Sequence, residues 1–342
     1  MAKKRGQKKG KRQRTWSADE DTFSREPVRG GAEREDGFHE REPEVGVTTE
    51  EANAVVIGPY GNFCYVQMEG EERLCRVGRG LGEGTSLAPG DRVLVEEEAD
   101  GPVVQAMAPR QRKLSRLVTK HNTRTEQTIA VNVDQLVIVS AAAKPRFKRG
   151  MTDRYLISAQ VGGVDPLLCV NKMDLVREEP PEVQPYRDLD VPVVLTSIVT
   201  GQGLDALRAA LEDKVSVLAG ASGVGKSTLI NALNPDLDLA TQEVSGFNEK
   251  GRHTTTSARM YSFGRVRIID TPGVRKLGLW GVSLEELNYY FPELKSRALH
   301  CRFNDCTHTH EPGCAVTAAV EAGEISKSRY GSYLRIRESM EG

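Results

Sequence analysis

The 342-residue chain contains no uninterrupted apolar run near the roughly 20 residues that a bilayer span requires, which excludes a transmembrane helix. It also lacks the apolar core of a secretory signal, since the N-terminus reads MAKKRGQKKGKRQR with nothing hydrophobic behind it. A cytoplasmic protein with no membrane partner is expected. Cysteine is scarce, at six residues, and without a secretion signal a disulfide framework is disfavoured. No charge of one sign dominates overall, because 47 Lys and Arg stand against 48 Asp and Glu. At roughly 100–200 residues per domain the length allows two or three domains.

The near-neutral total hides a local asymmetry. Lys3, Lys4, Arg5, Lys8, Lys9, Lys11, Arg12 and Arg14 form a basic arm, followed by a Glu-, Asp-, Gly- and Pro-rich stretch with few aliphatic residues before Val45. Such a composition buries too little surface to fold alone, and residues 1–46 are read as a disordered tail. The arm is either a solvated terminus or a phosphate-docking arm.

Short β-type runs begin near residue 47, at 54–57, 63–68, 74–77, 91–96 and 103–106, with turn residues between them. Five such strands suggest a β-barrel over 47–109. An OB-fold binding RNA is the expected form, with Arg73, Arg76 and Arg79 placed to face the ligand; a barrel that only packs against its neighbour is the alternative. Residues 110–130, opening on a basic run from Arg110 to Arg116, are read as a linker. From 131 the pattern alternates: apolar strands at 133–141, 167–170, 191–195 and 215–218, and helices at 153–161 and 204–211. That alternation predicts a parallel sheet covered on both faces, in a domain spanning 131–276.

Two of these strands end in nucleotide chemistry. The strand at 215–218 runs into Gly220, Ala221, Ser222, Gly223, Val224, Gly225, Lys226, Ser227 and Thr228, a P-loop in its required strand-to-helix context. Backbone N–H groups there turn toward phosphates, Lys226 reaches the β- and γ-phosphates, and Ser227 ligates Mg²⁺. The strand at 167–170 ends in Asn171-Lys172-Met173-Asp174. A carboxylate at Asp174 can accept from the N1–H and 2-amino group of guanine, which makes the nucleotide GTP or GDP. Asn171 ties this loop to the P-loop, and the Lys172 stem lies along the base. Ser197 and Ile198 fit a loop whose backbone contacts guanine O6.

A third strand feeds Asp270-Thr271-Pro272-Gly273, where Asp270 holds Mg²⁺ through water and the Gly273 N–H senses the γ-phosphate. Before it lies Gly251-Arg252-His253-Thr254-Thr255-Thr256, placed as a first switch, and Thr255 or Thr256 completes the Mg²⁺ shell. The guanine-reading motif precedes the P-loop, the reverse of ordinary GTPase order, so the domain is read as circularly permuted. The second switch then runs straight into the C-terminal region, 277–342, whose position should follow nucleotide state. That region carries Cys301, Cys306, His308 and Cys314, a spacing suited to one structural Zn²⁺, with His310 as the alternative imidazole. Helices are expected at 284–291, 315–322 and 330–336, and Cys64, Cys75 and Cys169 are read as core.

Barrel, NKMD, GASGVGKST, GRHTTT, DTPG and the Cys/His spacing, in that order, resemble the RsgA (YjeQ) family of circularly permuted GTPases, over residues 47–340. The resemblance implies a multidomain protein: an OB-fold, an α/β P-loop GTPase domain and a small, mostly helical zinc domain. It further implies binding to the 30S subunit late in its maturation, with subunit-stimulated GTP hydrolysis linked to release; the expected partners are GTP or GDP, the 30S subunit and its 16S rRNA, and the protein is expected to be monomeric. The place after the DxxG glycine, where Ras-like enzymes carry a water-orienting Gln, holds Val274, so slow intrinsic turnover is expected. His253 is the nearest group to orient water; the alternative is a solvated loop residue or an RNA contact. Two other classes remain at this point: a placeholder in which turnover is incidental, and a GTPase acting on another RNA partner.

Overall fold

In the computed structural model of the protein, residues 46–81, 86–120, 123–237, 258–271 and 279–341 are described, and the tail expected at 1–46 lies almost wholly outside them. Five strands come first: β1 (Ala54–Tyr60), β2 (Phe63–Met68), β3 (Glu71–Val77), β4 (Arg92–Glu98) and β5 (Gly101–Met107). They close a barrel in the order β1-β2-β3-β5-β4, antiparallel except where β3 meets β5, the OB arrangement. Alternation drives this closure, because Val56, Cys64, Val66, Cys75, Val93 and Val104 point inward and are wholly buried. On the outer face Arg76 and Arg79 are exposed and Arg73 is half-buried. Arg73 is paired with Glu97 and Arg76 with Glu98 in exposed ion pairs, which are weak enough to exchange for a phosphate.

The stretch expected as a linker is folded. Residues β6 (Lys113–Lys120) and β7 (Thr123–Val131) form an antiparallel hairpin. Its strands are rich in Thr, Arg, Gln and Lys, so no apolar alternation announces it, and it is held by contacts distant in sequence. Lys113 pairs with the buried Glu126 at 3.0 Å, and Arg110 clasps the wholly buried Asp91 through two 2.8 Å bonds. Gly90 permits the junction: its φ is +97°, and a Cβ there would lie 2.0 Å from the Val131 carbonyl oxygen.

The following elements are β8 (Gln135–Ala141), α1 (Arg149–Gly162), β9 (Asp165–Asn171), α2 (Gln184–Arg187), β10 (Val193–Leu195), α3 (Leu204–Leu211), β11 (Val215–Gly220), α4 (Lys226–Leu233), β12 (Arg259–Phe263) and β13 (Val266–Asp270). They build a sheet in the order β10-β9-β8-β11-β13-β12, parallel except for β12. Leu136, Ile138, Leu168, Val217 and Ala219 face one side, against Tyr155 and Ala159 of α1. Val137, Val139, Leu218 and Ile268 face the other, against Leu207, Leu211, Leu229 and Ile230 of α3 and α4. Each such buried aliphatic side chain contributes about 1.5–3 kcal/mol. Both faces are apolar, as a covered parallel sheet requires.

The barrel meets this sheet at β12. Arg259 pairs with Glu72 and lies 5.0 Å from the Tyr65 ring centre, and the Ser262 hydroxyl donates to Gln67 at 3.1 Å. At the C-terminal end stand α5 (Pro292–Ala298), α6 (Ala315–Glu321) and α7 (Lys327–Glu341). The helix expected at 284–291 is only a 3₁₀ turn, Leu287–Tyr290, because Phe291 turns extended and Pro292 opens α5 in the first helical position. No helix among the described residues is long and apolar enough to cross a membrane.

This C-terminal region packs on α1. Arg329 of α7 binds Asp153 of α1 and Glu293 of α5, and its guanidinium lies 4.6 Å from the Phe291 ring centre. Arg329 and Asp153 are both buried. Burial pushes the Asp153 carboxyl above the usual range, with the Arg329 charge opposing the shift. Removing one partner of such a cluster leaves buried charge uncompensated. Arg329→Ala is therefore expected to destabilise the protein by about 3–5 kcal/mol in urea unfolding, whereas replacing Asp153, Glu293 and Arg329 together with apolar residues costs far less. A loss below about 1 kcal/mol for the single variant contradicts this account.

Candidate functional site

Asn171 ends β9 and is buried beside the loop that joins β11 to α4. Its Nδ2 donates to the Val224 carbonyl at 2.9 Å, and its Oδ1 accepts from the Thr196 hydroxyl at 3.2 Å. One carboxamide therefore ties its own segment to two others that are distant in the chain. The contact depends on Gly225, the residue before α4, whose φ is +98° and whose Cβ, were there one, would lie 2.5 Å from Asn171 Nδ2.

Lys172 follows with a left-handed φ of +64°, and its Nζ donates to the Lys144 carbonyl at 2.6 Å and the Gly223 carbonyl at 2.5 Å. The stem is thereby stretched between the P-loop and the segment after β8. Asp174 accepts from the Ser197 hydroxyl at 2.6 Å, which aims the carboxylate. Ser197 is wholly buried and its N–H is already bonded to Gln202, so its side chain acts on Asp174 while the adjacent Ile198 packs among apolar neighbours. The hydroxyl of Ser197 and the Lys144 carbonyl had no local signal; only the proximity of their strand ends in the sheet brings them in.

Within the P-loop, Lys226 opens α4 and its Nζ donates to the carbonyls of Gly220 and Ala221 at 2.9 and 3.0 Å. The helix begins there, two residues before Thr228, so Ser227 lies in its first turn. Ser222 and Gly223 are exposed at the loop's tip, and Val224 turns into the core. Asp270 ends β13 directly opposite Leu218 of β11. Burial raises its carboxyl above the usual range, while the nearby Lys226 charge and the Thr271 N–H pull it down. Thr271 donates from its hydroxyl to the Leu218 carbonyl at 3.1 Å, which fixes the exit of β13. His253, Thr255, Thr256 and Gly273 lie outside the described residues.

The second cluster stands in the C-terminal region. The ligand atoms of Cys301, Cys306, His308 and Cys314 all lie within 4.8 Å of one another. Cys301 and Cys314 Sγ are 3.9 Å apart, and His308 Nδ1 is 3.5 Å from each. Zn–S bonds of about 2.3 Å at tetrahedral angles put sulfurs roughly 3.8 Å apart, so the donor set fits a closed tetrahedral site. His310 is exposed and bonded to the Thr309 hydroxyl, which leaves His308 as the imidazole of the group.

The family model described as RsgA GTPase matches residues 107–280. A small ribosomal subunit biogenesis GTPase RsgA from Halalkalibacterium halodurans is 39% identical over 294 residues, covering 83% of this chain and 96% of the relative. The chain belongs to the RsgA GTPase family. The Gemmatimonas aurantiaca protein of the same name is 41% identical over 308 residues, covering 86% of this chain and 99% of its own. The crystal structure of YjeQ from Thermotoga maritima is similar at a TM-score of 0.66 and 32% identity, covering 84% of this chain and 98% of that one. YloQ, described as a circularly permuted GTPase, is similar at 0.62 and 28%, covering 84% and 94%. The permuted order of β8–β13 agrees with the description of that neighbour, and the chain is a P-loop GTPase.

The raised Asp270 carboxyl yields a test. The charged form is disfavoured by the fold, so the neutral isostere should relieve that cost: Asp270→Asn is expected to unfold at a higher temperature than the parent without nucleotide, yet to lose Mg²⁺-dependent hydrolysis. A variant less stable than the parent contradicts the electrostatic reading.

Proposed function

We propose that the protein is a GTPase of small ribosomal subunit biogenesis, which binds the 30S subunit and its 16S rRNA late in maturation, hydrolyses GTP in a subunit-stimulated manner and is released by that hydrolysis. The observation that carries the reading is the Asn171 carboxamide bonded to Val224, which assembles a guanine-reading loop and a P-loop from permuted segments. The names of the relatives support the choice of ribosomal partner. In this reading Asn171, Lys172, Asp174, Ser197 and Ile198 hold guanine, and residues 220–228 hold the phosphates. Asp174, aimed by Ser197, accepts from the base.

Mg²⁺, when bound with GTP, neutralises charge developing on the transferred phosphoryl group. Ser227, Asp270 and Thr255 or Thr256 would hold it, and Lys226 would leave the Gly220 and Ala221 carbonyls for phosphate oxygens. Val274 offers no group to orient water, and His253 in the first switch takes that role. Cys301, Cys306, His308 and Cys314 hold one Zn²⁺ as a structural ion. Arg73, Arg76 and Arg79 of the barrel face the rRNA, and the exposed Tyr60 and Phe63 at the β1–β2 turn offer stacking surfaces. The protein acts as a monomer in the cytoplasm.

Multiple-turnover GTP hydrolysis with and without purified small subunits tests this. The parent should turn over slowly alone and much faster with subunits. His253→Ala should keep nucleotide affinity and lose roughly a hundredfold of the stimulated rate. A parent insensitive to small subunits overturns the partner, and a variant within about twofold of the parent assigns water orientation to another group.

A further inference from the structure

His308 faces two ways. Its Nδ1 points at the Cys301 and Cys314 sulfurs, 3.5 Å from each, and its Nε2 lies 3.3 Å from Asn288 Nδ2. Asn288 sits in the 3₁₀ turn Leu287–Tyr290, anchored by the wholly buried Leu287. The other end of its carboxamide, Oδ1, is buried and has no hydrogen-bond partner. A buried amide oxygen without a donor costs about 1–3 kcal/mol, so the arrangement asks for one.

The two nitrogens of a neutral imidazole cannot both be acceptors. If Nε2 accepts from Asn288 Nδ2, the ring proton sits on Nδ1, and a protonated Nδ1 has no lone pair for a metal. Half a turn of the carboxamide exchanges its ends. Oδ1 then stands where Nδ2 was and accepts from Nε2–H, which gives the oxygen its donor, moves the amide N–H group to the place the oxygen had, and frees the Nδ1 lone pair toward the three sulfurs. Metal-ligating histidines commonly donate their second N–H to such an oxygen, which sets tautomer and ring orientation.

We infer that Asn288 is the positioning residue of the metal site: its amide oxygen accepts from His308 Nε2–H and selects the tautomer that ligates through Nδ1. The inference rests on the reading that Cys301, Cys306, His308 and Cys314 hold zinc. The Tyr333 ring lies 6.2 Å from the imidazole centre, and the remaining hydrogen bonds here fix the backbone. The Tyr330 hydroxyl donates to the His308 carbonyl at 2.6 Å and the Tyr333 hydroxyl to the Thr307 carbonyl at 2.9 Å, holding His308 at a left-handed φ of +58°. Neither touches the ring nitrogens.

The experiment is a titration of the full chain with Zn²⁺ against a competing chelator, in the parent, Asn288→Leu and Asn288→Asp. Leucine keeps the bulk without hydrogen bonds, and a carboxylate can only accept. Asn288→Leu should lower zinc affinity roughly 10–100-fold, and Asn288→Asp should hold it at or above the parent, with GDP affinity unchanged in both. In zinc-loaded parent, nitrogen NMR of His308 should place the proton on Nε2. A leucine variant within twofold of the parent, equal losses in the leucine and aspartate variants, or a proton on Nδ1 each overturns the inference while leaving the zinc reading intact. A parent that binds no zinc overturns the zinc reading itself and the inference with it.

Discussion

The Asn171 carboxamide is the contact on which the nucleotide site depends. It is buried, it spends both ends on backbone and hydroxyl partners from two other loops, and it reaches them only because Gly225 has no side chain. Strand order makes the contact possible. β9, β8 and β11 are adjacent, so their C-terminal ends present the guanine loop, the Lys144 carbonyl and the P-loop side by side, although the chain visits them in a permuted order. Permutation moves the chain ends and leaves this edge unchanged, which is why the chemistry survives it.

The same permutation places both flanking regions against elements that adjoin the site. The barrel is fastened to β12, the strand that follows the segment read from sequence as a first switch, through Arg259, Glu72 and Tyr65. The C-terminal region is fastened to α1, the helix whose Tyr155 packs in the sheet core, through Asp153, Arg329 and Glu293. From sequence, the second switch is the route by which nucleotide state would reach the C-terminal region. The ionic joint on α1 adds a fixed attachment, so a shift of that region must carry α1 or break a buried charge cluster.

Much of this was legible because its signals are local. The P-loop, NKMD and Cys/His spacings are short motifs whose residue types have few other uses, and the strands of the covered sheet are apolar runs. The contacts that stayed hidden are those whose partners are far apart. The hairpin Lys113–Val131 is built of polar strands in which the buried Glu126 pairs with Lys113 on the opposite strand. Arg329 and Asp153 are separated by 176 positions, and no periodicity marks either. His308 is the expected ligand and His310 the alternative two residues on, and the backbone decides between them, turning His308 inward at φ +58° and leaving His310 in solvent. The Ser197 hydroxyl on Asp174 belongs to the same class, since it exists only when β10 and β9 are paired.

Calorimetric titration of GDP and ADP into the parent and into Asn171→Ala bears most directly on the central claim. The parent should prefer GDP by roughly ten-thousandfold, as a site built to hydrogen-bond one base rejects another. Asn171→Ala should remain folded and bind GDP at least about tenfold more weakly, since the tie between the guanine loop and the P-loop is lost. ADP affinity within tenfold of GDP, or an alanine variant that binds GDP as the parent does, would contradict the account.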